Sequence, residues 1–314
     1  MEKYINPFTD WAFKRIFGQE ANKDLLINFL NELLNDKKQH IVDLQYLDKE
    51  QLGETQSERN VIYDIFCVTD QGKHFIVEMQ NNSQSHFIDR SLYYASRSIV
   101  SQALRDKRDS RWNYQLKPVY TVCFMNFALP LGPDIPKRFR TDIIMTTAQD
   151  GKVVKDTLRF IYLMLPLFPI KKEADCKSNF ERWIYILTNM ETMEQMPYTS
   201  LNETFQKLEK IMQRLSLKQD ENEYYERSLK NYRDYYNQLK YAQETSHEEG
   251  YEEGFEKGEM IGLEKGEMIG LEKGEMIGEK KGQIKTARKM KQKQYSVDLI
   301  MDLTGLTAEE IAQL

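Results

Sequence analysis

Two strand-like stretches joined by a short polar turn, within residues 61–80, constrain the fold of this chain more than any other feature. The runs VIYDIFCVT and HFIVEMQ combine apolar and polar residues in the alternating manner of β-strands. The turn between them contains DQG at 70–72, which suits a three-residue hairpin loop. The last position of such a loop adopts a left-handed backbone conformation that favours glycine, here Gly72. The sequence therefore predicts an antiparallel hairpin.

The register of this hairpin decides which polar side chains meet. A three-residue loop sets Thr69 opposite Lys73, so that Asp64 lies opposite Glu78. Directly opposed residues share a face with Cβ atoms about 4.5–5.5 Å apart, and the two-residue period of a strand adds Gln80 to that face. Two carboxylates and an amide oxygen then converge, and this donor set suits Mg²⁺ or Mn²⁺.

Acidic residues on a hairpin often only meet water, so a solvated face is the alternative interpretation. Here both acids stand inside apolar runs, YDIFCV and FIVEMQ, where charged residues are depleted. Like charges opposed on a sheet also repel unless something neutralises them. We therefore predict a functional metal site at this hairpin.

The elements around the hairpin predict a mixed α/β core. Helical patterns come first, then strand-like runs, then a long helix and further strand-like runs. The predicted helices cover 10–17, 22–35 and 86–108, and the predicted strands cover 41–47, 61–69, 73–80, 118–126, 141–146 and 157–164. From about 175 to 245 the pattern is helical and rich in aromatic residues.

The C-terminal part is dominated by the repeat EKGEMIGL, with a glycine at every fourth position from 250 to 282. Each glycine costs a helix about 1 kcal/mol relative to alanine, so a weakly stable solvated helix or a tether is one interpretation. A glycine-mediated association surface is the other. The final segment is basic and then predicts two short helices, the first ending at Gly305 and the second starting with a capping box of Thr307 and Glu310. We expect a core (1–170), a helical subdomain or arm (171–249), the repeat tract (250–282) and a basic segment with a two-helix hairpin (283–314).

Charge is unevenly distributed along the chain. The net charge is -5, yet residues 90–117 are strongly basic. On the predicted helix 86–108, a helical projection gathers arginines on one side and apolar residues on the opposite side. The apolar set is Ile88, Leu92, Ala95, Ile99 and Ala103, and the arginines are Arg90, Arg97, Arg105 and Arg108. We predict that these arginines contact DNA phosphates, with a merely solvated face as the alternative.

Several classes of protein are disfavoured by the sequence. The apolar runs are far shorter than the ~20 residues that span a bilayer, and the opening MEKYINPFTD does not resemble a signal peptide. Cys67, Cys123 and Cys176 are far apart and form no CxxC pair, which fits a reducing cytoplasm. Motifs of the types HExxH, GxSxG and GxxxxGK[ST] do not occur, so zinc proteases, serine hydrolases and P-loop ATPases are not indicated. We expect a cytoplasmic protein without a membrane partner.

The arrangement of acidic residues resembles the PD-(D/E)XK nuclease superfamily, and more closely its recombination-promoting nuclease or putative transposase branch. The resemblance rests on Asp64 and, after thirteen residues, Glu78-Met79-Gln80, and on the opening NPFTDWAFKRIFG at 6–18. Its core covers about residues 1–170. It implies a restriction-endonuclease-like mixed sheet flanked by helices and followed by a helical C-terminal region. It also implies that Asp64 and Glu78 are metal ligands in a DNA endonuclease.

Three further residues enter the candidate catalytic set through this resemblance. Asp10 is a candidate third acid. Gln80 stands where the superfamily has a lysine, and an amide carries no positive charge, so the cationic role is vacant or belongs to Lys14 or another base. An acid in a first helical turn with a lysine four residues later also stabilises a helix without any catalysis, which is the alternative for Asp10 and Lys14.

These observations predict a Mg²⁺-dependent endonuclease that cuts double-stranded DNA to start recombination or transposition, with Mn²⁺ as a second usable ion. One alternative is a catalytically inactive DNA-binding protein with a nuclease fold. Another is an interaction protein that acts through its helical arm and repeats. In each case the C-terminal helical region is the candidate for contacts between copies of the chain.

Overall fold

The computed structural model describes residues 2–36, 40–51, 61–84, 86–105, 115–132 and 134–314, and a mixed β-sheet lies at the centre of its N-terminal part. The strands are β1 (Leu44–Tyr46), β2 (Glu50–Gln51), β3 (Val61–Ile62), β4 (Ile65–Thr69), β5 (His74–Gln80), β6 (Val119–Met125), β7 (Arg140–Thr146) and β8 (Val153–Met164). The main sheet has the order β1-β4-β5-β6-β8-β7, and β2 pairs separately with β3. Strands β5, β6 and β8 run parallel, whereas the other pairings are antiparallel. The predicted mixed α/β core is confirmed.

Helices lie on both sides of this sheet and continue beyond it. They are α1 (Asp10–Phe17), α2 (Lys23–Leu34), α3 (Phe87–Arg105), α4 (Asn179–Asn189), α5 (Glu203–Met212), α6 (Gln219–Gln292), α7 (Val297–Thr304) and α8 (Ala308–Ala312). The bounds of helix α1 are set by capping residues in its own sequence. The side chain of Thr9 accepts a hydrogen bond from the backbone N–H of Ala12, and Gly18 caps the other end. Helix α1 is therefore fixed beside the hairpin.

The two faces of the sheet are covered by different helices. Aromatic side chains of α1, α2 and α4 pack on one face, where Phe17 and Phe29 contact Phe124 of β6 and Trp183 packs against Phe29. Helix α3 covers the opposite face. Because α4 and α5 share a core with α1 and α2, the helical region after the sheet helps to hold α1 in place.

The chain divides into two compact units, Met1–Tyr235 and Tyr236–Leu314. The second contains most of α6, including the repeat, which is helical with its described methionine, isoleucine and leucine side chains exposed. It also contains the predicted two-helix hairpin, which is confirmed. Gly305 ends α7 in a left-handed conformation, and Thr307 with Glu310 forms the capping box of α8.

Helices that could cross a membrane were not found among the described residues.

Candidate active site

The hairpin β4–β5 has the predicted register. Ile65 pairs with Val77, and the pairing continues in step to Val68 and His74. The loop closes through hydrogen bonds from the Thr69 N–H to the Lys73 carbonyl (2.9 Å) and from the Gly72 N–H to the Thr69 carbonyl (2.8 Å).

The left-handed loop position is also as predicted. Gly72 has a φ of 79°, a conformation that glycine adopts without steric cost. Thr69 therefore lies opposite Lys73, and the observed pairing ends at Ile65 and Val77, one step before the predicted pair of Asp64 and Glu78.

Asp64 lies in a β-bulge just before β4. The Leu47 N–H donates to the Phe66 carbonyl (2.8 Å), and the Tyr63 N–H donates to the Lys49 carbonyl (3.0 Å). Between these two hydrogen bonds, two consecutive residues, Asp64 and the one after it, lie opposite a single residue of the segment 47–49. A bulge turns a side chain away from the direction it would take in a regular strand, and bulges are frequent beside active sites. The sequence pattern did not predict this bulge.

The two acids are joined through the backbone. The Asp64 N–H donates to Glu78 Oε1 (3.2 Å), and the Met79 N–H donates to Asp64 Oδ2 (2.9 Å). Each carboxylate thus has one oxygen held by the backbone, while its second oxygen, Oδ1 or Oε2, accepts no hydrogen bond from a described residue. Glu78 is only 6% exposed and the Asp64 side chain 23% exposed, so neither is a freely solvated surface acid.

Burial makes full ionisation of this acid pair costly. Burial is the largest cause that raises the pKa of Glu78, and the charge of Asp64 adds to it, so that the pKa reaches about 8. The pKa of Asp64 is also raised by burial, against the lowering effect of the Met79 N–H and of Lys14. The pair consequently holds a proton near neutral pH when no cation binds it. A divalent cation would compete with that proton.

Lys14 links helix α1 to the acid pair. Its Nζ lies 2.6 Å from Asp10 Oδ1 and 3.9 Å from Asp64 Oδ1. The predicted helix-stabilising pair of Asp10 and Lys14 is therefore present, and the same lysine also reaches a candidate metal ligand. Asp10 is 62% exposed and approaches the pair through Lys14.

Gln80 is buried at the end of β5, two residues beyond Glu78 on the same strand face. The side-chain Nε2 of Gln80 donates to the Asn82 carbonyl (3.2 Å), and the backbone carbonyl of Gln80 accepts from the Asn126 N–H (2.9 Å). Because the amide nitrogen is used locally, Oε1 is the atom that suits a cation. The structure thus brings Asp64, Glu78 and Lys14 together and places Gln80 beside them.

The helix α3 is confirmed, but its predicted packing face is only partly right. Ala95 is buried and Ile99 packs against the same core, as predicted. Ile88 and Leu92 are 38% and 46% exposed, whereas Ser91 and Ser98 are buried. The helix is thus rotated by roughly 90° from the predicted orientation. Small side chains allow α3 to approach the sheet closely, and this favourable fit outweighs the burial of the larger apolar residues.

The rotation of α3 changes the setting of its arginines. Arg90 and Arg97 are half-buried beside the packed face. Arg90 donates to Gln84 Oε1 (2.7 Å) and lies over the Tyr94 ring at 5.1 Å. Its charge favours the ionised form of both Asp64 and Glu78. Arg105 is the last residue of α3, and Arg108 lies outside the described residues.

The donor set fits a magnesium-like ion. Among the residues that the structure describes, no three His, Cys, Asp or Glu side chains come together as a metal group. Mg²⁺ is commonly held by one or two carboxylates, with water and substrate phosphate completing its octahedron. One buried and one partly buried carboxylate, both with raised pKa values and near an amide oxygen, meet that requirement.

Lys49 is a basic residue of this region that the sequence analysis did not identify. It is half-buried, and burial is the largest cause that lowers its pKa. The charges of Lys14, Asp64 and Asp10 all act on it. In the structure, residues 49–51 pair with 61–63. Strands of two residues are too short to produce a recognisable alternating pattern, so the sequence alone did not indicate this pairing.

Comparison with known proteins gives one family. A family model described as PD-(D/E)XK nuclease family transposase matches residues 7–242. Searches of curated proteins and of solved structures give no match. The matched range includes the sheet, the acid pair and helices α1 to α5.

Proposed function

We propose that this chain, which belongs to the PD-(D/E)XK nuclease family of transposases, is a Mg²⁺-dependent endonuclease that cuts double-stranded DNA. Family membership supports a nuclease or transposase role in general and DNA as the substrate. The observation that supports the metal-dependent reaction is the largely buried pair of Asp64 and Glu78, which two hydrogen bonds join. Two carboxylates held so close together are unfavourable by themselves and would be stabilised by a bound cation.

The chain's own residues have distinct roles in this proposal. Asp64 and Glu78 would hold the ion through their carboxylates, and Gln80 would add a neutral amide oxygen. Mg²⁺, or Mn²⁺ in its place, would supply charge stabilisation at the phosphate and lower the pKa of a water. Lys14 holds Asp10 and Asp64 in position from α1. The bulge and the two backbone N–H donors fix the carboxylates before substrate arrives, which reduces the reorganisation needed during the reaction.

DNA binding is assigned to the basic side of α3. Arg90 and Arg97 lie one and a half to two helical turns apart, roughly 10 Å along the axis, and can follow a phosphate backbone next to the acid pair. Arg105 and Arg108 extend the same proposed series. Contacts of this kind read phosphate and not base sequence, so we expect little sequence preference from the core.

The DNA breaks and the separate parts of the chain also have proposed roles. Breaks made in this way would promote recombination or transposition, in the cytoplasm. We assign the chemistry to a core of 1–170 supported by the arm 171–249. The repeat 250–282 and the basic hairpin segment 283–314 would serve DNA engagement or self-association.

Cleavage of a supercoiled plasmid by the purified protein, with Mg²⁺ or with a chelator, tests the proposal. The wild type should nick or cut only with the metal. Asp64→Ala should be slower by about a thousandfold or more, since losing the metal removes several kcal/mol of stabilisation. Asp175→Ala, which alters an exposed acid, is the matched control and should behave as the wild type. DNA binding by the wild type with no metal-dependent cleavage would instead indicate an inactive DNA-binding protein.

A further inference from the structure

Lys49 is fixed beside the acid pair by its backbone. Its carbonyl accepts from the Tyr63 N–H at 3.0 Å, immediately before the bulge that carries Asp64. The following residues continue the pairing, with Glu50 opposite Ile62. The position of Lys49 relative to Asp64 is therefore set by strand pairing and not by a free loop.

The ammonium group of Lys49 makes no hydrogen bond or ion pair with any described residue. This differs from the other two cations near the acids. Lys14 is held by Asp10 at 2.6 Å, and Arg90 is held by Gln84 at 2.7 Å and by the Tyr94 ring. A half-buried lysine normally gains a partner, because partial burial removes water without replacing its hydrogen bonds. Among the described residues, Lys49 is thus available for an anion from outside the chain.

The balance of charges indicates what kind of anion fits. Asp10, Asp64 and Glu78 are matched in number by Lys14, Lys49 and Arg90. A divalent ion at the acid pair would leave the group positive. A phosphodiester is anionic, and its charge increases as hydrolysis proceeds, so an excess of positive charge favours that change. Burial is the largest cause that lowers the pKa of Lys49, which agrees with a cation that has no ion-pair partner among the described residues.

We propose that Lys49 binds a non-bridging oxygen of the scissile phosphate and is the cationic residue that Gln80 cannot be. The proposal rests on the proposed nuclease function and adds a residue to its site. Lys49 is favoured over Lys14 and Arg90 because each of these already has a hydrogen-bond or ion-pair partner among the described residues. An ammonium donates up to three hydrogen bonds and carries the charge that an amide lacks.

Two variants separate charge from packing. Lys49→Met retains the apolar stem and removes the ammonium, whereas Lys49→Arg retains a positive charge. Lys172→Met, at an exposed lysine, is the matched control. Circular dichroism and thermal unfolding of each variant show that the fold is retained, and Lys49→Arg keeps the test available if the methionine variant unfolds.

The two readouts are the single-turnover cleavage rate in Mg²⁺ and the salt dependence of binding to a mixed-sequence DNA duplex in Ca²⁺. We expect Lys49→Met to lose about a hundredfold in rate, as when one transition-state donor is removed. Its binding should lose about one phosphate contact from the salt slope. Lys49→Arg should recover part of both losses, and Lys172→Met should match the wild type.

The outcomes distinguish this proposal from the proposed function. If the wild type cuts and Asp64→Ala does not, while Lys49→Met keeps the wild-type rate and salt slope, the assignment of Lys49 is wrong and the nuclease proposal stands. If the wild type never cuts, the nuclease proposal fails. The salt slope in Ca²⁺ then decides whether Lys49 contacts phosphate, and an unchanged slope overturns that contact.

Discussion

In the acid pair charged side chains are withdrawn from water, and in the C-terminal repeat apolar side chains are exposed to it. Both placements oppose the usual preference of these residues, but their free-energy costs are very different. At the hairpin, Asp64 and Glu78 are removed from water next to each other. In the repeat, residues such as Met260, Leu263 and Met268 are 65%, 63% and 66% exposed. Burying a charge costs several kcal/mol even after the protein relaxes, whereas exposing an apolar side chain only forgoes a favourable burial.

This difference determines how strongly each region indicates a function. The acids need compensation, which a bound cation would supply, so their placement supports the proposed ligand site. Single exposed apolar residues need no explanation, although a regular series of them is typical of a contact surface. The repeat therefore supports its proposed role in association more weakly than the hairpin supports its metal site.

The largest effect on the folded chain should come from removing one buried charge. Glu78→Gln keeps the shape and the acceptor for the Asp64 N–H. In the wild type the pKa of Glu78 is raised from 4.5 to about 8. Because the folded pKa exceeds the unfolded one, the stability linked to this proton is fully present below about pH 4.5 and is lost as pH rises through about 8.

The metal-free Glu78→Gln variant should therefore be more stable than the wild type at about pH 9, by about 1–3 kcal/mol, and close to it at about pH 5. Urea unfolding in the presence of a chelator measures the difference. Glu194→Gln, at an exposed glutamate, is the control. Equal stability of wild type and Glu78→Gln at about pH 9 would mean that burial of the pair carries no such cost, and the contrast with the repeat would disappear.

A smaller effect is expected on DNA binding when the basic side of α3 is neutralised. Replacing Arg90 and Arg97 by glutamine should weaken binding to all duplex sequences alike, by about tenfold, and reduce the salt slope by about two phosphate contacts. Binding in Ca²⁺ separates this effect from cleavage. Arg227→Gln, at an exposed arginine of α6, is the control. A double variant with the salt slope of the wild type would remove α3 from the interface.

The smallest effect concerns the repeat and the segment after it. A chain that ends at residue 245 should still cut DNA at high protein concentration, because it retains the sheet, the acid pair and helices α1 to α5. It should show a few-fold loss of apparent DNA affinity or reduced self-association. Light scattering and DNA titration at several protein concentrations check this. A truncated chain with unchanged affinity and unchanged oligomeric state would show that the C-terminal region has neither role.

The sequence predicted the hairpin well because its register depends on local geometry. A three-residue loop and an alternating pattern leave one pairing, and the observed partners of Ile65 and Phe66 agree with it. The α1 bounds, the Gly305 cap and the Thr307–Glu310 capping box are likewise local and were predicted. Cap residues act within one turn, so no tertiary information is needed.

Features that depend on distant contacts were not predicted. The orientation of α3 follows from close packing of Ser91, Ala95 and Ser98 on the sheet, which a hydrophobicity projection cannot detect. The bulge at Asp64 and the position of Lys49 follow from pairing with a neighbouring segment through two-residue strands. The sequence thus identified the acids of the candidate site but not the β-bulge that orients Asp64.

Binding of Mn²⁺ to the full chain, followed by electron paramagnetic resonance, shows whether the acid pair holds a divalent ion. We expect an ion site that is lost in both Asp64→Asn and Glu78→Gln and retained in Asp175→Asn. We also expect weaker binding as pH falls below about 8, because the proton held by Glu78 competes with the cation. If Glu78→Gln and Asp64→Asn bind Mn²⁺ as tightly as the wild type, the pair of Asp64 and Glu78 does not hold the ion.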